Sequence, residues 1–223
     1  MTDRPSNAPP RSRTLGRALR RACLGVALLA AGLAAGPAAA TQLVPQNLTR
    51  LIAGADVIVS GKVKSVTDGI DNGVPYTEVT MTVASSAKKK LAPRKEFKFR
   101  QFGLLKPRKL ESGKFLVATA PEGFAAWHAD EQVIAFLVRP AAKTGLRSTV
   151  GLEQGKFTTM GGRTANAQFN RNLFAGVQVS PGLLNSAETQ MLKKPSGDVD
   201  AAVLMSLVNR AVVGRWIETG VMR

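Results

Sequence analysis

A chain of 223 residues carrying 31 Lys plus Arg, 15 Asp plus Glu, one Cys and one His is sized for one domain, or one domain with an appendage. Hydrophobic content of 44% and charged content of 21% match a folded globular protein and exclude a largely disordered chain. One Cys and one His exclude a disulfide scaffold, a thiolate zinc site and a polyhistidine metal centre.

The first 40 residues read as an export signal. Arg11, Arg13, Arg17, Arg20 and Arg21 precede an apolar run from Ala22 to Ala35, and Ala38-Ala39-Ala40 after Pro37 has the form of a cleavage site. Gly25, Gly32, Gly36 and Pro37 break that run, which falls short of the ~20 apolar residues that span a bilayer. Arg20-Arg21 is a weak match to a twin-arginine signal. Cys23 stands at the start of the apolar run, the wrong end for lipidation. Cleavage after Ala40 would leave a mature chain without Cys in the periplasm or outside the cell, so stability must come from packing and thiol chemistry is absent.

Beyond the leader, Asn47 is a suitable N-cap for a short helix from Leu48 to about Ala53. Val57, Val59 and Val63 then share one face of a strand and Ser60, Lys62 and Lys64 the other, with Gly61 as a candidate bulge. Asp68-Gly69 and Asn72-Gly73 favour positive φ and predict a hairpin into a second strand over Tyr76–Val83. In a third strand, Phe97, Phe99 and Gln101 alternate with Lys98 and Arg100, so the aromatic pair is expected to point into the core. Phe115–Ala118 and Val133–Val138 are apolar on both faces, as in central strands. Shorter strands are expected around 148–152, 156–159 and 173–179. Residues 181–197 read as a linker, and Val199, Val203, Leu204, Leu207, Val208, Ala211, Val212 and Trp216 lie on one stripe of a C-terminal helix over 198–220 that either docks on the barrel, the expected arrangement, or binds a partner.

The series Ala55-Asp56-Val57-Ile58-Val59-Ser60-Gly61-Lys62-Val63, Tyr76-Thr77 and Gly151-Leu152-Glu153-Gln154-Gly155-Lys156-Phe157 resembles a set of exported bacterial proteins of unassigned function. The order of helix, bulged strand and Tyr-Thr strand before a basic stretch is also similar to netrin-like and tissue-inhibitor-of-metalloprotease modules. That resemblance spans about residues 48–179 and implies an oligonucleotide/oligosaccharide-binding (OB) barrel more than any activity. The inhibitors of that class chelate zinc through an N-terminal cysteine, which the mature chain lacks, so that mechanism does not carry over. The fold expected is therefore mainly β: a small antiparallel OB-like barrel over 41–180 with a short N-terminal helix and an amphipathic C-terminal helix.

Charge is concentrated in one stretch. Between Lys88 and Lys114 there are eleven basic residues against Glu96 and Glu111. Such a cluster raises the local concentration of anions in a salt-dependent way, although Lys-rich edges also keep sheets from pairing with one another. The candidate anion-binding residues are Lys88, Lys89, Lys90, Arg94, Lys98, Arg100, Lys106, Arg108 and Lys109.

Catalytic patterns are weaker. Ser85-Ser86-Ala87-Lys88 fits S-x-x-K and Lys143-Thr144-Gly145 fits K-T-G, but no Ser-Asp-Asn follows and Ser85 belongs to a strand end. His128 with Asp130 and Glu131 offers an acid-base or metal set from one short turn, and a loop histidine beside Trp127 is the simpler reading. Gly151 to Lys156 is one residue short of a phosphate loop and reads as a turn. The expectation is thus an exported non-enzymatic binding module, without cofactor or metal, engaging an anionic cell-envelope component or an acidic protein. Nucleic acid is not the expected partner, because alternation separates the Phe side chains from the cations. A protease-inhibitor-like partner protein is the alternative.

Overall fold

The computed structural model describes residues 44–223, so the leader and its cleavage site lie outside the described residues. The elements are α1 (Leu48–Gly54), β1 (Val57–Asp71), β2 (Val74–Ala87), β3 (Glu96–Phe102), β4 (Arg108–Lys109), β5 (Phe115–Leu116), β6 (Gln132–Leu137), β7 (Lys156–Met160), β8 (Arg163–Asn166), α2 (Ser186–Leu192), β9 (Val199–Asp200) and α3 (Ala201–Val213). A 3-10 turn at Leu152–Gly155 precedes β7. Seven strands form one antiparallel sheet in the order β3-β2-β1-β6-β7-β8-β9, and β4 and β5 form a separate hairpin.

The expected closed barrel is corrected: the sheet is open, running past β6 into β7, β8 and β9 instead of returning to β3. The physical reason lies at the free edge of β3. There one backbone bond, from the Arg147 N–H to the Arg100 carbonyl at 2.8 Å, stands where a closed barrel would need a full ladder, and the loop residue Trp127 packs on the face of β3 against Phe99. Trp127 meets Phe99 edge-on with centroids 5.1 Å apart and donates through Nε1 to Gln101 Oε1 at 3.3 Å.

Both faces of the sheet are covered, and strand alternation divides the apolar residues between them. Val57, Val59, Val79, Met81, Phe99, Val133, Ala135 and Leu137 pack with Trp127 on one side. Ile58, Ile134, Phe136 and Phe157 pack on the other against α1, α3 and the C-terminal segment, through Leu48, Leu51, Leu204, Leu207, Val208 and Trp216. β6 is accordingly buried on both faces, as its continuous apolar run predicts. Each fully buried Leu or Phe in these layers contributes about 1.5–3 kcal/mol.

Local signals read from the sequence reappear in place. Asn47 caps α1 by accepting from Arg50 N at 3.0 Å. Asn72 and Gly73, both with positive φ, turn β1 into β2. The register shifts between Ser60 and Gly61, and a Cβ at Gly61 would strike the Thr82 carbonyl, so the bulge needs glycine. Asp200 caps α3, accepting from Ala202 N and Val203 N at 2.9 Å each.

Further expectations differ from the structure: residues 148–152 and 173–179 are turns with single bridges at Thr149 and Val179, not strands. The C-terminal helix is Ala201–Val213, shorter than 198–220, because Gly214 caps it and turns follow. Residues 181–197 hold α2, whose Asn185 and Glu188 form a reciprocal capping box and whose buried Glu188 pairs with Arg210 of α3 at 2.5 Å. Phe115–Ala118 is no central strand: β5 pairs only with β4, and Phe115 and Val117 are 65% and 73% exposed.

Gly61→Ala is expected to destabilise by about 1–3 kcal/mol through overpacking against β2, and Asp200→Ala by about 1 kcal/mol through loss of the α3 cap. Denaturant midpoints read by circular dichroism check both; a Gly61→Ala protein as stable as its parent would show that the bulge is not held by close contact.

Candidate functional site

The basic segment runs along one margin of the sheet, through the β2–β3 turn, edge strand β3 and the β4–β5 hairpin. Its nine candidate cations fall into two groups. Three are used by the fold. Lys88, at φ +63, turns its ammonium back onto α1 and donates to Ala53 O at 3.1 Å and Ala55 O at 2.9 Å. Burial lowers its pKa from the ordinary lysine value, opposed by the charges of Glu218 and Asp56. Arg100 bonds Glu78 at 2.9 Å and Asp71 at 3.1 Å while lying 4.1 Å from the centroid of the Tyr76 ring. The Glu78 hydrogen bond holds its pKa above the usual arginine value. Arg108 pairs with Asp68 at 2.7 Å.

The other six, Lys89, Lys90, Arg94, Lys98, Lys106 and Lys109, are exposed and form no ion pair among the described residues. The reason is local stoichiometry. Asp68, Asp71 and Glu78 are taken by Arg108 and Arg100, and Glu96 is taken by Lys64 at 2.5 Å. Lys89, Lys90 and Arg94 precede β3, Lys98 stands on its outward face, and Lys106 and Lys109 follow it. Seven extended residues separate the two ends by roughly 20 Å. The structure thus brings the six to one sheet margin in two groups with Lys98 between them, and not into one enclosed groove. Arg94 borders an open groove that crosses β2, β1 and β6 toward the start of α3.

A second constellation is only partly visible in the sequence. His128 Nδ1 lies 2.8 Å from Glu131 Oε1, and Glu131 Oε2 accepts from the nearly buried Lys156 Nζ at 2.6 Å. Lys156 also donates to Ala126 O at 2.6 Å and sits 5.1 Å from the centroid of the Trp127 ring. Burial raises the Glu131 pKa, but the hydrogen bonds from Lys156 and His128 outweigh it and the net direction is downward. Asp130 does not join this set; it pairs with Lys62 at 2.8 Å. His128, Lys156, Glu153, Thr158 and Asn166 line an open depression. With both carboxylate oxygens and the ammonium engaged by protein groups, the set pins the 121–131 loop to β7. In the sequence Lys156 stands out only as the end of the Gly151–Lys156 turn, and no spacing rule connects it to Glu131, which is remote along the chain.

The serine-lysine patterns do not converge. Ser86 Oγ accepts from Leu91 N at 3.0 Å, and Lys88 is occupied at α1. Lys143 and Thr144 lie with Val74 and Tyr76 at the other end of β2, about 30 Å of extended chain from Ser85. Gly151 and Leu152 have positive φ and lead into the 3-10 turn, as a turn and not a phosphate loop. No group of three or more His, Cys, Asp or Glu side chains that could hold a metal occurs among the described residues. No helix among them is long and apolar enough to cross a membrane. Comparison with protein-family models, curated proteins and solved structures finds no match to the chain.

The lowered pKa of Glu131 has a sign that can be tested. Its charged form is favoured by folding, so this contribution is complete above the ordinary carboxylate range and is lost as pH falls through the lowered folded value. Denaturation midpoints followed downward from neutral pH are expected to fall more steeply for the parent than for Glu131→Gln. Parallel profiles would contradict a stabilising role for the Glu131–Lys156 pair.

Proposed function

We propose that the protein is an exported, non-enzymatic binding module that engages an anionic partner, an envelope component or an acidic protein surface, along the β3 margin. The observation that carries this reading is the charge imbalance there. Asp68, Asp71, Glu78 and Glu96 are committed to Arg108, Arg100 and Lys64, which leaves Glu111 as the one unpaired carboxylate of the segment, while Lys89, Lys90, Arg94, Lys98, Lys106 and Lys109 face solvent without an ion pair among the described residues. Uncompensated cations on a rigid edge attract anions over about a Debye length. Their placement on an edge strand also blocks pairing with another sheet, so the same residues can serve solubility and binding.

An OB-like relation belongs to this proposal. Its support is the sharing of β1, which is bulged at Gly61 and pairs with both β2 and β6, and the single backbone bond that brings Arg147 to the free edge of β3. Export is likewise part of the reading and rests on the leader sequence.

The test is binding to immobilised heparin, as a soluble polyanion, across a salt series. Neutralising Lys89, Lys90, Arg94, Lys106 and Lys109 to Gln is expected to weaken retention roughly tenfold at low salt and to flatten its salt dependence, with the thermal midpoint unchanged. Arg100→Gln and Arg108→Gln are expected to act on stability more than on retention. Retention that is insensitive to both salt and the five substitutions would overturn the proposal.

A further inference from the structure

Four of the ten exposed large hydrophobic residues among those described, Leu105, Leu110, Phe115 and Val117, fall within one short stretch. That stretch is the β4–β5 hairpin with its two roots, and the pairing of its strands sorts its side chains. Arg108 is paired with Leu116 and Lys109 with Phe115, so Arg108 and Leu116 share one side of the ribbon while Lys109, Phe115 and Val117 share the other. The Arg108 side is turned to the body of the protein, where its guanidinium bonds Asp68 and where Leu116 is half-buried. The Phe115 side stays mostly in water, with Phe115 65% and Val117 73% exposed. A continuous apolar run that ordinarily builds a central strand is here held in water.

The hairpin is fixed at its root. Leu105 N donates to Asp68 Oδ2 at 2.9 Å, Leu104 N to Ala118 O at 2.8 Å, and a Cβ at Gly103, φ +107, would collide with the Ala120 backbone. Its far end closes through Leu110 N to Lys114 O at 2.8 Å around Gly113. The apolar side chains are therefore presented by an anchored projection. Around them stand Lys106, Lys109 and Lys114, exposed and without ion pairs among the described residues, against one carboxylate, Glu111, at the tip.

Exposed apolar side chains rimmed by unpaired lysines match the two layers of a membrane surface, acyl chain below and anionic phosphate above. We propose that the β4–β5 hairpin docks on an anionic lipid surface, with Phe115 and Val117 entering the headgroup boundary and Lys106, Lys109 and Lys114 meeting lipid phosphates. This inference rests on the anion-binding reading and gives its partner a class. It differs in requiring an apolar phase, which a soluble polyanion or an acidic protein does not provide.

The experiment is co-sedimentation of residues 41–223 with phosphatidylcholine vesicles, with or without about one-third phosphatidylglycerol, beside heparin retention. Phe115→Ser with Val117→Ser is expected to lower partition onto the anionic vesicles by roughly tenfold or more and to leave heparin retention unchanged. Partition should also fall when phosphatidylglycerol is omitted. Phe115→Trp gives a second readout, a blue-shifted indole emission on adding anionic vesicles. Vesicle binding that is indifferent to the double substitution, or an emission from the Phe115→Trp protein that does not move, would overturn the hairpin proposal. Retention on heparin without any vesicle binding would overturn it and leave the anion-binding reading standing, whereas binding to neither probe would overturn both. Self-association without lipid that the double substitution abolishes would assign the patch to a second copy of the chain instead.

Discussion

One strand has to serve two apolar layers. β1 sends Val57 and Val59 to the side plugged by Trp127 and Ile58 to the side covered by helices, while pairing with β2 and β6. On a strand buried on both faces a polar side chain costs free energy unless a hydrogen-bond partner is supplied. The bulge at Gly61 ends this doubly covered region, and beyond it Lys62 and Lys64 reach water and pair with Asp130 and Glu96. The long arm of β1 past the bulge then supports β2, and β2 supports β3, so the basic margin is carried outward on a frame set by the buried half of one strand.

Charge on that margin follows from geometry. Strand alternation places Phe97 and Phe99 toward Trp127 and Lys98 and Arg100 away from it. Register then decides which cations are neutralised. Glu78 lies directly across from Arg100 and takes it, whereas Lys98 lies across from Thr80, which offers no charge. Exposed ion pairs of this kind contribute little to stability, so their main effect is to subtract particular cations from the surface and leave others available.

Much of this is legible in the sequence where the signal is local. Asn47 before Leu48, Asn72-Gly73 in the first hairpin and the alternation of Phe97 to Gln101 each act within a few residues, and each appears as read. The Asn185-to-Glu188 capping box is equally local but lies inside a stretch that reads as linker because of Lys193-Lys194-Pro195 and the neighbouring glycines. What cannot be read depends on distant partners. The open sheet is decided by where β7 to β9 attach, the burial of Lys156 by Glu131 and the Ala126 carbonyl, and the exposure of Phe115 and Val117 by the lack of any described layer over one side of a two-residue ribbon. Hydrophobicity alone argues for burial there, and the contrast between composition and position is what gives the hairpin its interest.

In the proposed reading, binding falls to the β3 margin and its hairpin, and the His128–Glu131–Lys156 set serves to hold a loop. Backbone amide exchange of residues 41–223, with and without anionic vesicles, separates these roles most directly. New protection is expected between residues 89 and 117, densest around Phe115, with exchange near His128 unchanged. Protection centred on His128, Asn166 and the adjoining depression, with the hairpin unaffected, would contradict it.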